Sequence, residues 1–281
     1  MLRQVNNTFN CKHARMIKNN LSLKKKNNMI TFFSTLQPKD IKIITNGELG
    51  TTNFSLNFTN RNNGEKISPW HDVALVSDMV DSSNTKYFNF VNEIPRYTKP
   101  KMEIATDVEL NPIVQDVKKG KLRDYHGPLY WNYGCLPQTW EDPNVANAEV
   151  ENYMGDNDPL DVVEIGSETL EMGAVVPVKP LGILSMIDSG ELDWKLIAIC
   201  ANDPMAEKLN NIDDVEKHCP GTISGIREWF RWYKTPDGKP INAFGHDEVA
   251  MDKDYALEII DETHVFWKEL VERNGDDLWV K

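Results

Sequence analysis

The sequence is short of the features that would place a protein outside the cell or in a membrane. Its four cysteines, Cys11, Cys135, Cys200 and Cys219, stand far apart, so no paired spacing points to zinc or to a disulfide framework. No apolar run approaches the length of a membrane span. Glycine-rich phosphate loops, internal repeats and heptads are all missing. Acidic residues are absent from one region only, residues 1–39, which hold eight Lys or Arg and no Asp or Glu. With −12 overall, residues 40–281 therefore carry −20. A body this acidic repels nucleic acid and anionic lipid, which argues against a nuclease groove, a nucleic-acid partner and membrane insertion. It also requires that any anionic substrate be met by metal ions or by a local basic pocket.

The leader runs from Met1-Leu2-Arg3 through Lys24-Lys25-Lys26 to Phe32-Phe33-Ser34-Thr35. Basic residues, Asn and Ser without acids or a long apolar run are the composition of a mitochondrial transit peptide rather than a secretory signal. We expect residues 1–36 to be that leader, or a disordered basic arm, and residues 37–281 to form one globular domain. The expected location is the mitochondrial matrix.

What is abundant is acid, and it is densest in Gly155-Asp156-Asn157-Asp158-Pro159-Leu160-Asp161. The proline denies this stretch helical hydrogen bonds and holds it as a loop. Carboxylates packed so closely stay ionised together only when cations sit among them. A calcium EF-hand is excluded, because counting from Asp156 puts Leu160, Asp161 and Ser167 where that loop needs an oxygen ligand, Gly and Glu. A second cluster, Asp188-Ser189-Gly190-Glu191-Leu192-Asp193-Trp194-Lys195, adds three acids beside a lysine in a turn between apolar runs. Upstream, Lys101 and Glu103 share one face of a period-2 strand, a short way past Glu93. Acids for metals thus accompany cations for an anion. All the acids are carboxylates and no His or Cys lies among them, which suits magnesium better than zinc.

Alternation predicts strands over 71–76, 87–94, 101–105, 112–117, 161–165, 175–187 and 194–199. Pro177 and Pro180 mark edge or bulge positions in the sixth of these. Residues 45–64 suggest a ragged hairpin or surface loop. Helical spacing appears only late, at Ile223, Ile226, Phe230 and Tyr233, and again from Ala256 to Leu270 with a stop near Gly275. Strands first and helices last indicate an α+β domain.

Together Glu93-Ile94-Pro95-Arg96, Lys101-Met102-Glu103, Lys118-Lys119-Gly120-Lys121-Leu122-Arg123, Asn132-Tyr133-Gly134, Pro137-Gln138-Thr139-Trp140-Glu141-Asp142-Pro143, the two acidic clusters and Trp229-Phe230-Arg231 with Tyr233-Lys234 resemble the family I soluble inorganic pyrophosphatases. The resemblance runs from about His71 to about Trp267, is strongest to the eukaryotic, fungal-type enzymes, and with the leader suggests their mitochondrial form. It implies a five-stranded OB-like β-barrel flanked by helices, with the site at its mouth, and a homodimer. It implies pyrophosphate as substrate and several Mg²⁺ ions, with Mn²⁺ or Co²⁺ as substitutes and Ca²⁺ as an inhibitor. By the same resemblance, metal ligands fall on Asp156, Asp161, Asp193, Asp188, Glu103 and, through water, Glu93. Asp158 falls where the water-activating base stands. Lys101, Arg123, Tyr133, Lys195, Tyr233 and Lys234 fall where the phosphates are gripped. One departure stands out: residues 124–131 are shorter than the eukaryotic counterpart, and Leu129 occupies a place the family usually gives to tyrosine.

Overall fold

The computed structural model describes residues 36–82, 85–275 and 277–281; apart from its last residue, the leader lies outside them. The first strands, β1 (Ile41–Asn46), β2 (Ser55–Asn60) and β3 (Lys66–Ile67), follow one another closely. Next come β4 (Phe88–Ile94), β5 (Met102–Ile104), β6 (Ile113–Gln115) and β7 (Asn132–Cys135). Beyond them lie β8 (Asp161–Glu164) and the two longest strands, β9 (Val175–Asp188) and β10 (Glu191–Cys200). Helices α1 (Ile212–His218) and α2 (Thr222–Trp232) precede a short β11 (Ala243–Phe244), and α3 (Lys253–Glu272) comes last.

Five of these strands close a ring. β9 pairs with β10, β10 with β8, β8 with β7, β7 with β4, and β4 returns to β9; only the β8–β10 pair is parallel. Closure leaves the ring without a free edge, and β11 adds to β9 from outside. This is the expected five-stranded OB-like barrel in an α+β domain. β1, β2, β6 and β5 make a second sheet, with β3 paired to β2. The ring strands are buried on both faces, which is why β4 reads as Phe-Asn-Phe-Val-Asn-Glu-Ile with every residue inside.

α3 covers the barrel along β9, contributing Ala256, Ile259 and Ile260 to one apolar cluster and Trp267 and Leu270 to another. Full burial of an Ile or Leu side chain among these stabilises the fold by about 1.5–3 kcal/mol. The helix begins at Asp252, whose carboxylate accepts from Tyr255 N at 2.9 Å. It ends as expected near Gly275, whose N–H reaches back to Leu270 O at 3.0 Å. His71 ties the far end together: its Nδ1 accepts from Trp267 Nε1 at 2.8 Å, so Nε2 keeps the proton and donates to Trp279 O at 3.0 Å. Burial pushes this imidazole down to about 4, and it is neutral at neutral pH.

Two local expectations change and another holds in part. Residues 71–76 form no strand, only isolated bridges at Val73 and Val76. Ser68 is the cause: its Oγ accepts from the backbone of Trp70 and His71, and its carbonyl from Asp72 N, winding the chain into a turn. β9 has partners on both sides and is no edge, although its register does slip between Pro180 and Gly182. Residues 45–64 hold a regular β1–β2 ladder whose Leu56 and Phe58 enter the core.

Candidate active site

The acidic loop is built on a close backbone approach. A Cβ on Gly155 would lie 2.5 Å from the carbonyl carbon and oxygen of Glu141, so only glycine lets residues 155–158 press against the Glu141 backbone. Two hydrogen bonds then lace them together, Glu141 N to Asp158 O at 2.9 Å and Asn157 N to Glu141 O at 3.0 Å. Asn157 sits in the left-handed region at φ 73°, and Asp158 N donates to Asp156 Oδ1 at 3.0 Å in an Asx turn. Leu160 is fully buried, its N–H donating to Thr139 Oγ1 at 3.0 Å, which anchors the loop before β8 begins at Asp161.

Register brings the other groups in. Asp161 lies opposite Lys195 across the parallel β8–β10 pair, and Tyr133 lies opposite Val163, on the same face of β8. Asp193 and Lys195 are two apart on β10 and share that face. Lys195 Nζ contacts Asp161 Oδ2 at 2.5 Å and also Asp193 Oδ1, while Tyr133 OH donates to Asp161 Oδ2 at 2.5 Å. Glu93 falls where the β4–β7 register slips, and its Oε1 accepts from Ile104 N at 2.8 Å. Gly134 makes that slip feasible, since a Cβ there would meet Val91 O at 2.0 Å and Glu93 N at 2.8 Å.

Further cations are paired with acids of the same site. Lys101 pairs with Glu103 and, at 3.2 Å, with Asp116 Oδ2; Arg123 pairs with the same Asp116 oxygen. Lys234 pairs with Asp188, and Tyr233 OH donates to Asp188 Oδ2 at 2.6 Å. At the end of α2 a lysine commonly complements the helix dipole, but Lys234 is paired with Asp188, an acid that lines the cavity.

These groups enclose a cavity of about 570 Å³. Glu93, Lys101, Glu103, Tyr133, Asp156, Asp158, Asp161, Asp188, Asp193, Lys195 and Tyr233 all line it. Arg123 and Lys234 do not line it and act through acids that do, Asp116 and Asp188. Three residues here were given no site role by the sequence. Asp116 and Tyr125 line the cavity, and Glu141 stands behind it. For Glu141 a signal was available: it is one of two adjacent acids before Pro143, the type of cluster that marked the other two acidic turns.

Electrostatics divide the cavity into two regions. Burial pushes Asp158 and Asp193 up to about 7, with Glu103 and Asp161 adding to the first and Asp161 to the second, while Lys195 holds both down. Asp156 and Glu141 are pushed up by burial and by Asp193. Burial would also raise Asp188, but hydrogen bonds from Lys234, Tyr233 and Ser189 outweigh it and leave the carboxyl below its ordinary value. Burial disfavours charge on Lys101 and Lys195, yet the carboxylates around them win and both stay protonated.

Carboxyl oxygens of Glu141, Asp156 and Asp193 lie within 4.8 Å of one another. Hard oxygen donors in that number, with Asp193 raising both Asp156 and Glu141, fit a hard divalent cation. Among the described residues no helix is long and apolar enough to cross a membrane.

Comparison with known proteins agrees with this geometry. The family profile described as inorganic pyrophosphatase matches residues 90–268, the stretch that contains every one of these groups. The chain is 50% identical over 244 residues to soluble inorganic pyrophosphatase 6, chloroplastic, of Arabidopsis thaliana, covering 86% of this chain and 79% of that one. Inorganic pyrophosphatase 2, mitochondrial, of Mus musculus is 49% identical over 229 residues, 76% of this chain and 69% of its own. The crystal structure of the type I inorganic pyrophosphatase from Toxoplasma gondii superposes with a TM-score of 0.78 at 48% identity, covering 82% of this chain and 99% of that one. Barrel, acid-lined mouth and matched span coincide, and the chain belongs to the inorganic pyrophosphatase family.

Proposed function

We propose that this inorganic diphosphatase splits pyrophosphate into two orthophosphates by attack of a water assisted by Mg²⁺, with Asp158 receiving the proton. The observation that carries the reading is one cavity in which converging carboxylates stand beside protonated donors, Lys195 between Asp161 and Asp193 and Lys101 beside Glu103. Asp156, Asp161, Asp193 and Glu103 would hold the ions, with Asp188 and Glu93 completing the acid set. Bound ions would neutralise substrate charge and acidify a water, which a polyanion otherwise keeps from any anionic nucleophile. Asp158 suits the base because it lines the cavity, where water can reach its carboxyl, and desolvation together with the charges of Glu103 and Asp161 pushes it up to about 7, near the pH at which a base must both accept and release a proton. Lys101, Arg123, Lys195 and Lys234 supply positive charge, and Tyr133 and Tyr233 supply hydroxyls, where negative charge builds on the leaving phosphate.

The test is phosphate release from pyrophosphate by the chain lacking residues 1–35, with Mg²⁺ titrated and Ca²⁺ added. Release that needs Mg²⁺ and is blocked by Ca²⁺ is expected. Binding of Mg²⁺ and pyrophosphate without release would replace the enzyme with a silent relative.

The acid-free basic leader supports import into mitochondria. Relatives of comparable identity are named mitochondrial and chloroplastic, so the destination is decided by experiment. Residues 1–36 fused to a fluorescent protein should direct it to the mitochondrial matrix; a cytosolic or plastid signal would sink this assignment.

A further inference from the structure

Tyr125 is the one cavity tyrosine that neither the sequence reading nor the assignment above employs. Two backbone hydrogen bonds fix its place, Lys101 N to Arg123 O at 3.0 Å and Tyr125 N to Lys99 O at 2.8 Å, either side of the Pro100–Asp124 bridge. Residues two apart on an extended segment share a face, so this short antiparallel pairing puts Arg123 and Tyr125 on the face that carries Lys101. Gln115 Nε2 locks the register by donating to Arg123 O at 2.7 Å and to Asp124 Oδ1 at 2.8 Å.

The ring is held as firmly as the backbone. It meets Trp229 and Tyr233 edge-on, with centroids 5.1 and 5.7 Å away, and the residue is only 8% exposed. Its hydroxyl makes no hydrogen bond to any described residue, although the side chain lines the cavity. By contrast, the hydroxyls of Tyr133 and Tyr233 are both taken by carboxylates. The Tyr125 oxygen is not one of the buried side-chain atoms left without a partner among the described residues, so it opens onto the cavity and is free to meet a ligand there. Burial raises its pKa well above the ordinary value, although Lys101 and Lys195 act against the rise, so it keeps its proton and donates.

Position 129 has no part in this. Leu129 is fully buried in the core, its N–H donating to Thr98 O at 3.1 Å, and Tyr130 points to solvent against Tyr97. We propose that the Tyr125 hydroxyl is a direct phosphate ligand of this chain, donating to a phosphoryl oxygen beside Lys101 and supplying the contact that Leu129 lacks. The proposal rests on the pyrophosphate reading above and adds a substrate-binding residue to it.

Tyr125→Phe removes one oxygen and keeps the ring between Trp229 and Tyr233. At saturating Mg²⁺ the KM for pyrophosphate should rise, and the affinity for orthophosphate fall, by about tenfold, the usual order for a hydrogen bond to a charged group. The thermal midpoint should stay within a degree or two, and Tyr130→Phe, which deletes an exposed hydroxyl, should change neither constant. Unchanged orthophosphate affinity in Tyr125→Phe would overturn the proposal, as would a loss confined to kcat. A wild-type chain that binds orthophosphate but releases none from pyrophosphate would defeat the catalytic reading alone, because the orthophosphate comparison still decides Tyr125.

Discussion

Asp158→Asn should lower kcat by about 10²- to 10⁴-fold, the range a positioned general base contributes. The substitution keeps the shape of the side chain and the Asx turn, because the turn is made by the Asp158 N–H and the Asp156 carboxylate rather than by the Asp158 side chain. Asp158 O still accepts from Glu141 N, so the loop that aims Asp156 keeps its lacing. Metal affinity is therefore expected to stay within a few fold, which calorimetric titration of Mg²⁺ into the variant would measure. The pH profile provides an independent check. The wild-type base acts ionised, so its rate climbs as pH rises through the Asp158 pKa, whereas an amide has no proton to lose and should flatten that acid limb. Turnover within about threefold of wild type would remove Asp158 as the base.

How much of this was readable beforehand depends on whether a feature is local. The acidic loop declares itself in seven consecutive residues, and Asp193 with Lys195 reads as one face because strand alternation is local. The five-stranded ring came from the family resemblance, as local patterning yields strands but not which of them pair. Glu141 shows the limit. It stands near Asp156 and Asp193 because Gly155 allows two backbones to touch, and a close approach between residues 141 and 155 leaves no periodic trace. Tyr125 is similar, since its face is fixed by pairing with residues 99–101 rather than by its own neighbours. The turn at Ser68 misled for the opposite reason. Val73, Ala74, Leu75 and Val76 have strand-like character, but Ser68 just upstream draws the N–H groups of Trp70, His71 and Asp72 into a turn, and Leu75 N donates to a side chain, Gln138 Oε1.

Replacing Lys195 should have the largest effect on stability. Its side chain is 1% exposed, its ammonium touches Asp161 and Asp193, and it lies 5.3 Å from the Phe230 ring centroid and 5.6 Å from that of Tyr133. Lys195→Met keeps most of the packing volume and strips the charge, leaving two partly buried carboxylates, 20% and 13% exposed, without their ammonium. Breaking a buried pair in this way typically costs about 3–5 kcal/mol. The sign of its pH dependence follows from Asp193, which burial already holds at about 7 in spite of the lysine. Without Lys195 that carboxyl rises further. A group whose pKa is raised by folding contributes fully below its unfolded value and loses that contribution as pH climbs through the folded one. The penalty in Lys195→Met should therefore be larger at pH 8 than at pH 5.5 when denaturation is followed with chelator present. Millimolar Mg²⁺ should narrow the gap, because a divalent cation among the same acids replaces the missing positive charge. An equal loss at both pH values, indifferent to Mg²⁺, would show that Lys195 contributes packing alone and that the acid wall does not depend on its charge.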